Sequence, residues 1–226
     1  MKSIKTRIIR NFITVILSTI IILDVLLIAF VRQYYYDNTQ TILTNQIDLA
    51  NNFYNRYYST SSLVWNVYDN VDAFWNQTTA QVQIFDDKGK LLMDSIAASE
   101  VSLDNNIEIK KALKGESSTW VGNVAYSDYK VMAVTKPLEV NGKIVGVIRF
   151  ITSLKTIDES IRSITTFFIG ISICVLIIGV ILSLLMAKKI VNPILKLKDT
   201  AEKMANGDLN QRSNFTIKDE IGQLAD

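Results

Sequence analysis

The sequence contains no histidine and a single cysteine, Cys174. Without histidine, the chain cannot form a Ser-His-Asp or Cys-His catalytic site, a histidine-ligated metal site or a histidine acid–base pair. One cysteine cannot form an intrachain disulfide. Glycine-rich phosphate loops and Walker patterns are absent as well. We therefore predict no catalytic residues, no metal and no cofactor within these 226 residues.

A strong charge of either sign is also lacking. The 24 basic and 22 acidic residues leave a net charge of +2, so the chain has no basic footprint for nucleic acid. Apolar residues make up 49% of the sequence, and the mean hydropathy is +0.21. This excess lies in two blocks, which is typical of membrane spans rather than of an enlarged core.

Each apolar block has the length of a membrane-spanning helix. Residues 12–31 carry one charge, Asp24, and residues 167–187 carry none. At about 1.5 Å rise per residue, either block covers the roughly 30 Å hydrocarbon core of a bilayer. The first block is longer than the apolar core of a signal peptide and runs into Arg32 and three interfacial tyrosines at 34–36. Both blocks are therefore predicted to be transmembrane helices.

The distribution of Lys and Arg predicts the side of the membrane that each segment occupies. Residues 1–11 contain four basic residues and no acid, and four lysines follow the second block, whereas residues 32–166 carry 13 basic and 15 acidic residues. Lys and Arg accumulate in short cytoplasmic segments. We therefore expect cytoplasmic segments at 1–11 and 188–226, an extracytoplasmic domain at 32–166, and a multi-pass protein of the cell membrane with both termini cytoplasmic.

Asp24 lies near the middle of the first block. A charge at that depth costs roughly 2.5–3.5 kcal/mol, so its carboxyl group needs a polar partner on a neighbouring helix. Two roles are open: a neutral carboxyl group that holds the helices of a dimer together, or a contact whose strength differs between two states of the protein. We favour the first.

The region between the blocks begins with helical periodicity. Apolar residues recur at spacings of three and four over 33–57 and again over 63–75, with a Ser/Thr-rich interruption at 59–62 where Ser61 or Ser62 is the expected N-cap. No Gly or Pro separates the first block from this stripe. We therefore expect one helix to run directly from the first span into the outer domain.

The periodicity then changes to two, which indicates strands. The predicted strands cover 82–85, 91–94, 118–126, 130–139 and 143–152, with a short helix at 104–114 that ends at Gly115. Asn141 and Gly142 predict a tight hairpin turn. The last strand is apolar on both faces, as expected of a central strand. The fold class is α+β, with long N-terminal helices on a five-stranded antiparallel sheet.

Three segments in this order resemble the extracytoplasmic Cache (PAS-like) sensor domains: 82–92, 112–115, and 136–137 followed by 142–147. The resemblance implies a receptor domain with a small-molecule or cell-envelope ligand. The chain lacks the Tyr, Arg and Trp-Tyr signature of amino-acid-binding double-Cache receptors and the histidine-containing set of citrate-type sensors, so no ligand class follows.

A ligand in such a domain is expected between the sheet and the helices. The candidates for its polar contacts are Trp120, Tyr126, Tyr129, Lys130, Thr135 and Arg149. Arg149 shares a strand face with apolar residues, and a cation there needs a partner. That partner is either an anionic ligand or a carboxylate of the same domain, and we favour the carboxylate.

The segment after the second block carries a heptad seam. Apolar residues recur at spacings of four and three, namely Ile190, Ile194, Leu197, Ala201 and Met204. Pro193 stands near the start of this helix, where proline is tolerated. Gly207 ends it, a connector with Leu209 follows, and a second seam opens with Asp219, Glu220, Ile221 and Gly222.

These residues, with Pro193, resemble a HAMP linker. The resemblance implies a parallel four-helix bundle in a homodimer, which converts motion of the second span into helix rotation or altered packing. Only about two turns of the second helix precede Asp226, so we expect a truncated HAMP domain at 188–226. We also expect the helices to enter the spans without a hinge.

The order of span, Cache-like domain, span and HAMP linker resembles Gram-positive two-component sensor histidine kinases. By this resemblance the chain is the signal-sensing and relay region, and the kinase core and response regulator lie outside it. Chemoreceptors and cyclic-dinucleotide cyclases share the same segments, and a free-standing truncated receptor that heterodimerises is a further alternative. The lipid bilayer and a second copy of the chain are the predicted partners.

Overall fold

The computed structural model describes residues 4–69, 78–97 and 107–206, with only the backbone of residues 4, 5 and 190. It divides the chain into two compact units. One comprises residues 30–163 and contains the sheet. The other comprises residues 1–29 together with 164–226.

Helix α1, Ile4–Tyr57, is uninterrupted over 54 residues. The helix therefore runs without a break from the first apolar block into the unit that contains the sheet, as expected. Helix α2, Leu63–Asp69, follows a turn, and the Ser62 hydroxyl accepts a hydrogen bond from the backbone N–H of Trp65 (3.3 Å), as an N-cap does. The predicted continuation of this helix to residue 75 lies outside the described residues.

The sheet has five antiparallel strands: β1 Gln81–Asp86, β2 Leu91–Asp94, β3 Ser118–Gly122, β4 Val131–Val140 and β5 Lys143–Ser153. Their spatial order is β2-β1-β5-β4-β3, so the last strand is central, as predicted. Asn141 and Gly142 join β4 to β5 with φ of 52° and 74°, the conformation that makes Asn-Gly favourable in a two-residue hairpin. Strand β3 ends at Gly122, four residues earlier than predicted.

Side-chain alternation divides the sheet into two unlike faces. One face packs against the long helices. Its core joins three sheet residues, Ile84, Ile148 and Phe150, to Ile47 and Tyr54 of α1. Leu63 and Val67 of α2 belong to the same cluster. The helices α1 and α2 both pack on this face, which leaves the other face for different contacts.

The opposite face carries helix α3, Ile107–Ala112, at one end. Ile109 and Ala112 pack on Phe85 and Val147. The chain then turns at Gly115, whose φ of 92° is readily adopted only by glycine. Helix α3 ends at Ala112, two residues before the predicted end at 114, and the predicted first turn at 104–106 lies outside the described residues.

Helix α4, Lys155–Met186, follows β5 directly. From the sequence we expect a final helix over 153–164 that leads into the second apolar block. The helix begins two residues later than that, because Ser153 still pairs with Val131 in the sheet. A π-helical segment, Ala187–Val191, and helix α5, Asn192–Ala205, continue from it.

The π-helical segment is a departure from the regular helix that the heptad spacing from Ile190 predicts. It lies directly before Pro193, which has no N–H donor and whose ring would clash with the carbonyl group of Lys189 four positions earlier. Widening the turn to an i→i+5 pattern accommodates this conflict. The helix therefore carries one more residue here than a regular α-helix would.

We expect Gly146→Ala to destabilise the sheet unit. A Cβ at Gly146 would overlap the carbonyl oxygen of Phe85 and the Leu63 side chain, and backbone cannot move aside cheaply, so the loss should reach about 1–3 kcal/mol. Thermal unfolding of the full chain in detergent measures it. Gly170→Ala is the matched control because a Cβ there meets nothing within 4 Å. Equal stabilities of the two variants would contradict the packing described here.

Candidate functional site

A continuous polar row crosses the face of the sheet that α1 and α2 do not cover. Register pairs each residue with its neighbour on the next strand, and directly opposed residues share a face. The row consists of Asp94, Gln83, Arg149, Thr135 and Ser118. We call these five residues the polar row.

The polar row separates two apolar clusters. On one side lie Phe85 and Val147 with α3, and on the other lie Val131, Ala133 and Ile151, against which Trp120 packs. Polar groups enclosed by apolar neighbours lose their water and need partners from the protein or a ligand. The hydrogen bonds of the row therefore decide what it can bind.

The Asp94 end of the row is saturated. Its carboxylate accepts hydrogen bonds from the side-chain amides of Gln81 (2.9 and 3.0 Å) and Gln83 (3.0 Å) and from the backbone N–H of Ile96 (3.1 Å). This arrangement fixes the orientation of Gln83, because its NH₂ group must point at the carboxylate. The carbonyl oxygen of the Gln83 side chain is thereby directed away from Asp94.

Arg149 occupies the centre of the row and is 5% exposed. Its guanidinium carbon lies 5.8 Å from the ring centroid of Trp120, within range of a cation–π contact. Burial lowers the pKa of Arg149, and the nearby carboxylate of Glu108 opposes that shift. Glu108 is thus a charge of the same domain that acts electrostatically on Arg149.

Two buried polar atoms flank Arg149 and form no hydrogen bond. They are the side-chain carbonyl oxygen of Gln83 and the hydroxyl oxygen of Thr135. The residues are 1% and 0% exposed. Such groups are uncommon in folded proteins, because leaving one unpaired costs about 1–3 kcal/mol. An acceptor on one side of the cation and a hydroxyl on the other could both bind a polar ligand.

The structure brings four of the six predicted pocket residues together. Trp120, Thr135 and Arg149 share the face, and Tyr126 joins them by donating a hydrogen bond to the side chain of Gln81 (2.7 Å). Burial raises the pKa of Tyr126, which keeps its hydroxyl protonated as the donor in this bond. These four residues lie on the face that α1 and α2 leave uncovered, whereas we expected the pocket residues between the sheet and the helices.

Tyr129 and Lys130 lie apart from the row, in the loop before β4. The Lys155 ammonium group sits 4.8 Å from the ring centroid of Tyr129, and the Lys130 backbone carbonyl accepts a hydrogen bond from Leu154 N–H (2.8 Å). The side chains of both predicted residues are exposed. These contacts tie the loop to the start of α4.

Sequence reasoning missed Gln81, Gln83 and Asp94. Two glutamines alternating with apolar residues in a strand were a visible signal, since a buried strand face rarely carries amides without partners. Their relation to Arg149 depends on strand order, which the sequence did not reveal. Among the described residues, no three acidic or cysteine side chains are placed to hold a metal ion.

Contacts between the sheet and α1 lie on the face opposite the polar row. The Lys136 ammonium group forms an ion pair with the Asp48 carboxylate (2.6 Å), and the Asn51 side chain donates a hydrogen bond to the Pro137 carbonyl (3.1 Å). Lys136 directly follows Thr135 of the polar row along β4. Strand β4 thus contributes Thr135 to the polar row and also contacts α1, the helix that contains the first apolar block.

The two apolar helices contact each other within one chain. The Ser172 hydroxyl donates a hydrogen bond to the Asp24 carboxyl group (2.9 Å). Gly179 lies against Ile16, whose side chain would be 2.9 Å from a Cβ at that position. Asp24 therefore has an intrachain partner, a contact that does not require a second copy.

Helix α5 presents the predicted seam. Ile194 is 47% exposed and Met204 is 41% exposed, Ala201 is exposed, and Leu197 is partly covered. Pro193 lies buried in the first turn of α5. The remaining predicted relay residues lie outside the described residues: Gly207, Leu209, Asp219, Glu220, Ile221 and Gly222.

Comparison with known families identifies a HAMP domain at residues 185–226. Over 218 residues, 95% of its length, the chain is 24% identical to the sensor histidine kinase YclK of Bacillus subtilis. Over 62% of its length it is 28% identical to the sensor protein kinase WalK of Staphylococcus aureus. These matches span 45% of YclK and 24% of WalK.

Among solved structures, the chain is similar to the ligand-binding domain of the Campylobacter jejuni chemoreceptor Tlp3 in complex with L-norvaline. The TM-score is 0.50 at 15% identity, and the match covers 66% of this chain and 63% of that one. This likeness supports the sensor-domain fold. Two helices are long and apolar enough to cross a membrane, and their most apolar windows are 0% and 11% buried, unlike core helices. The chain is a membrane-bound signal-sensing region that carries a HAMP domain and resembles sensor histidine kinases.

Proposed function

We propose that this chain senses an extracytoplasmic stimulus and relays it to the kinase core of a two-component sensor histidine kinase. The observation that carries the proposal is helical continuity. Helix α1 contains both the first apolar block and the residues that pack on the sheet, and α4 follows the central strand β5 and contains the second block. Displacement of the sheet unit can therefore pass into both membrane helices.

The kinase relatives favour this function over the alternatives. Two sensor kinases match the chain in sequence, whereas the chemoreceptor likeness is one of fold. A kinase core, ATP binding and a response regulator belong to the proposed whole protein, since the chain itself has no histidine to accept phosphate.

We also propose that the chain works as a homodimer with both termini in the cytoplasm. Exposed apolar side chains on α1 support a self-association surface in the outer unit, with Ile42 48% and Leu49 58% exposed. The exposed seam of α5 supports a second such surface, because a lone helix would leave that stripe in water. The basic residues at 1–11 and 188–198 support the orientation.

The polar row is the proposed ligand site. Its unpaired Gln83 and Thr135 atoms offer hydrogen bonds to a small polar molecule, and Trp120 and Tyr126 border the same surface. Binding at Thr135 would act on β4, which contacts α1 one residue further on through Lys136 and Asp48. This strand therefore connects the site directly to the helix that contains the first apolar block.

The proposed orientation predicts opposite labelling of two engineered cysteines. In a Cys174→Ser background, Lys110→Cys in α3 should react with a membrane-impermeant maleimide in intact cells, and Lys203→Cys in α5 should react only after lysis. Both native side chains are exposed, so accessibility within the fold does not limit the reaction. Labelling of position 203 before lysis would refute the topology.

The relay predicts sensitivity to the helical register between α4 and α5. In a chimera of residues 1–226 with the catalytic part of YclK, inserting one alanine after Ala187 should change autophosphorylation several-fold, because each residue rotates a helix by about 100°. Deleting Lys189 should have a smaller effect, since it removes the extra residue that the π-helical segment holds.

Inserting one residue after Gly142 in the β4–β5 hairpin is the control for the chimera, because that turn lies outside the proposed relay. Autophosphorylation that ignores the insertion after Ala187 would contradict a helical relay.

A ligand site in the polar row predicts that Thr135→Val stabilises the unliganded chain. Valine has the shape of threonine without the buried, unpaired hydroxyl, so the gain should be about 1–3 kcal/mol in thermal unfolding. Thr39→Val is the control, because that buried hydroxyl donates to the Tyr35 carbonyl (2.8 Å) and its loss should not stabilise. A destabilised Thr135→Val protein would show that the hydroxyl is already paired and would argue against the site.

A further inference from the structure

A group of basic side chains at one end of the membrane helices has no acidic neighbour in sequence. Residues 1–23 and 160–198 contain no Asp or Glu. Within these stretches, Arg7 and Arg10 on α1 and Lys188 and Lys189 in the π-helical segment are exposed. We call these four residues the basic cluster.

The packing of the two helices places the basic cluster at one level. Asp24 of α1 contacts Ser172 of α4, and Ile16 of α1 contacts Gly179 of α4. Eight residues toward the start of α1 therefore correspond to seven residues toward the end of α4. This is the register of an antiparallel helix pair. Nine further residues, or about 14 Å, bring Arg7 level with Lys188.

The basic cluster is not neutralised by the described acids. Two ion pairs lie further along the chain, within α5, and join Lys198 to Glu202 and Lys203 to Asp199. No described carboxylate pairs with Arg7, Arg10, Lys188 or Lys189. Four like charges on two adjacent helices repel one another unless an anion lies among them.

The surface beside the cluster has the character of a lipid contact. Leu184, Leu185 and Met186, in the last turn of α4, are 45%, 50% and 48% exposed and directly precede Lys188 and Lys189. A phospholipid can lay its acyl chains along this apolar wall while its phosphate reaches the basic side chains. A free phosphate ion would use only the charged half of the surface.

We propose that the basic cluster binds the headgroup of an anionic phospholipid, with Arg7 and Arg10 on one helix and Lys188 and Lys189 on the other acting together. Basic groups between membrane helices recognise such headgroups, and each Lys or Arg near the membrane surface adds about 1 kcal/mol of attraction, a factor of about fivefold. Because two of the four residues belong to the π-helical segment, the lipid would hold the junction between α4 and α5.

The test uses the full chain reconstituted in phosphatidylcholine vesicles that contain trace spin-labelled phosphatidylglycerol or phosphatidylcholine. Electron paramagnetic resonance gives the fraction of each labelled lipid immobilised at the protein, and hence the preference for the anionic lipid. K188Q/K189Q and R7Q/R10Q should each reduce that preference by about fivefold to 25-fold, because each variant removes two charges that contribute about fivefold apiece. About 0.5 M salt should reduce the preference in the wild type, because the Debye length then falls to between about 3 and 8 Å.

K110Q/K111Q is the matched control, because it removes two adjacent exposed lysines from α3 in the outer unit. It should leave the preference unchanged. An unchanged preference in both cluster variants would overturn the proposal. Loss in only one of them would overturn the shared site and assign lipid binding to a single helix. These outcomes do not depend on the kinase assignment, which the chimera tests separately.

Discussion

A bilayer offers no hydrogen-bond partners to a polypeptide backbone, so each membrane span must be helical throughout. In this chain neither helix stops where its apolar block ends. Helix α1 continues for about eight turns into the sheet unit, and α4 starts two residues after the central strand. The backbone requirement of the membrane therefore produces the physical link on which the proposed sensing and relay depend.

The two faces of the sheet make different contacts. Alternation along β4 and β5 directs Val134, Ile148 and Phe150 toward the helices, where they form the main core, and directs Thr135 and Arg149 to the other side. The proposed ligand contact on one face and a helix contact on the other are consequently adjacent along one strand. Thr135 and Lys136 illustrate this, since the first carries an unpaired buried hydroxyl and the second pairs with Asp48 of α1.

The junction between α4 and α5 combines two features that a regular helix would lack. Pro193 accounts for the wider turn before it, and that turn carries Lys188 and Lys189 at the end of an apolar wall. A helix with one residue in excess can change register at lower cost than a regular helix, because the extra residue is already outside the i→i+4 pattern. The proposed lipid site and the relay therefore meet in the same segment.

The sequence by itself determined the properties that depend on local periodicity. The two apolar blocks, the order of helices and strands, the hairpin at Asn141 and Gly142 and the α5 seam follow from spacings of two, three and four residues, which depend only on nearby positions. Strand ends were less accurate, as in β3, because a strand ends where its partner stops pairing.

Only the tertiary structure decided how distant positions meet. The polar row joins Asp94, Gln83, Arg149 and Thr135 because β5 lies between β1 and β4, an order that no local pattern encodes. The Asp24–Ser172 contact likewise needs two helices that the whole sheet unit, residues 30–163, separates in sequence. The π-helical segment arises from competition between Pro193 and the preceding helix. Periodicity specifies elements, whereas register and packing between elements specify sites.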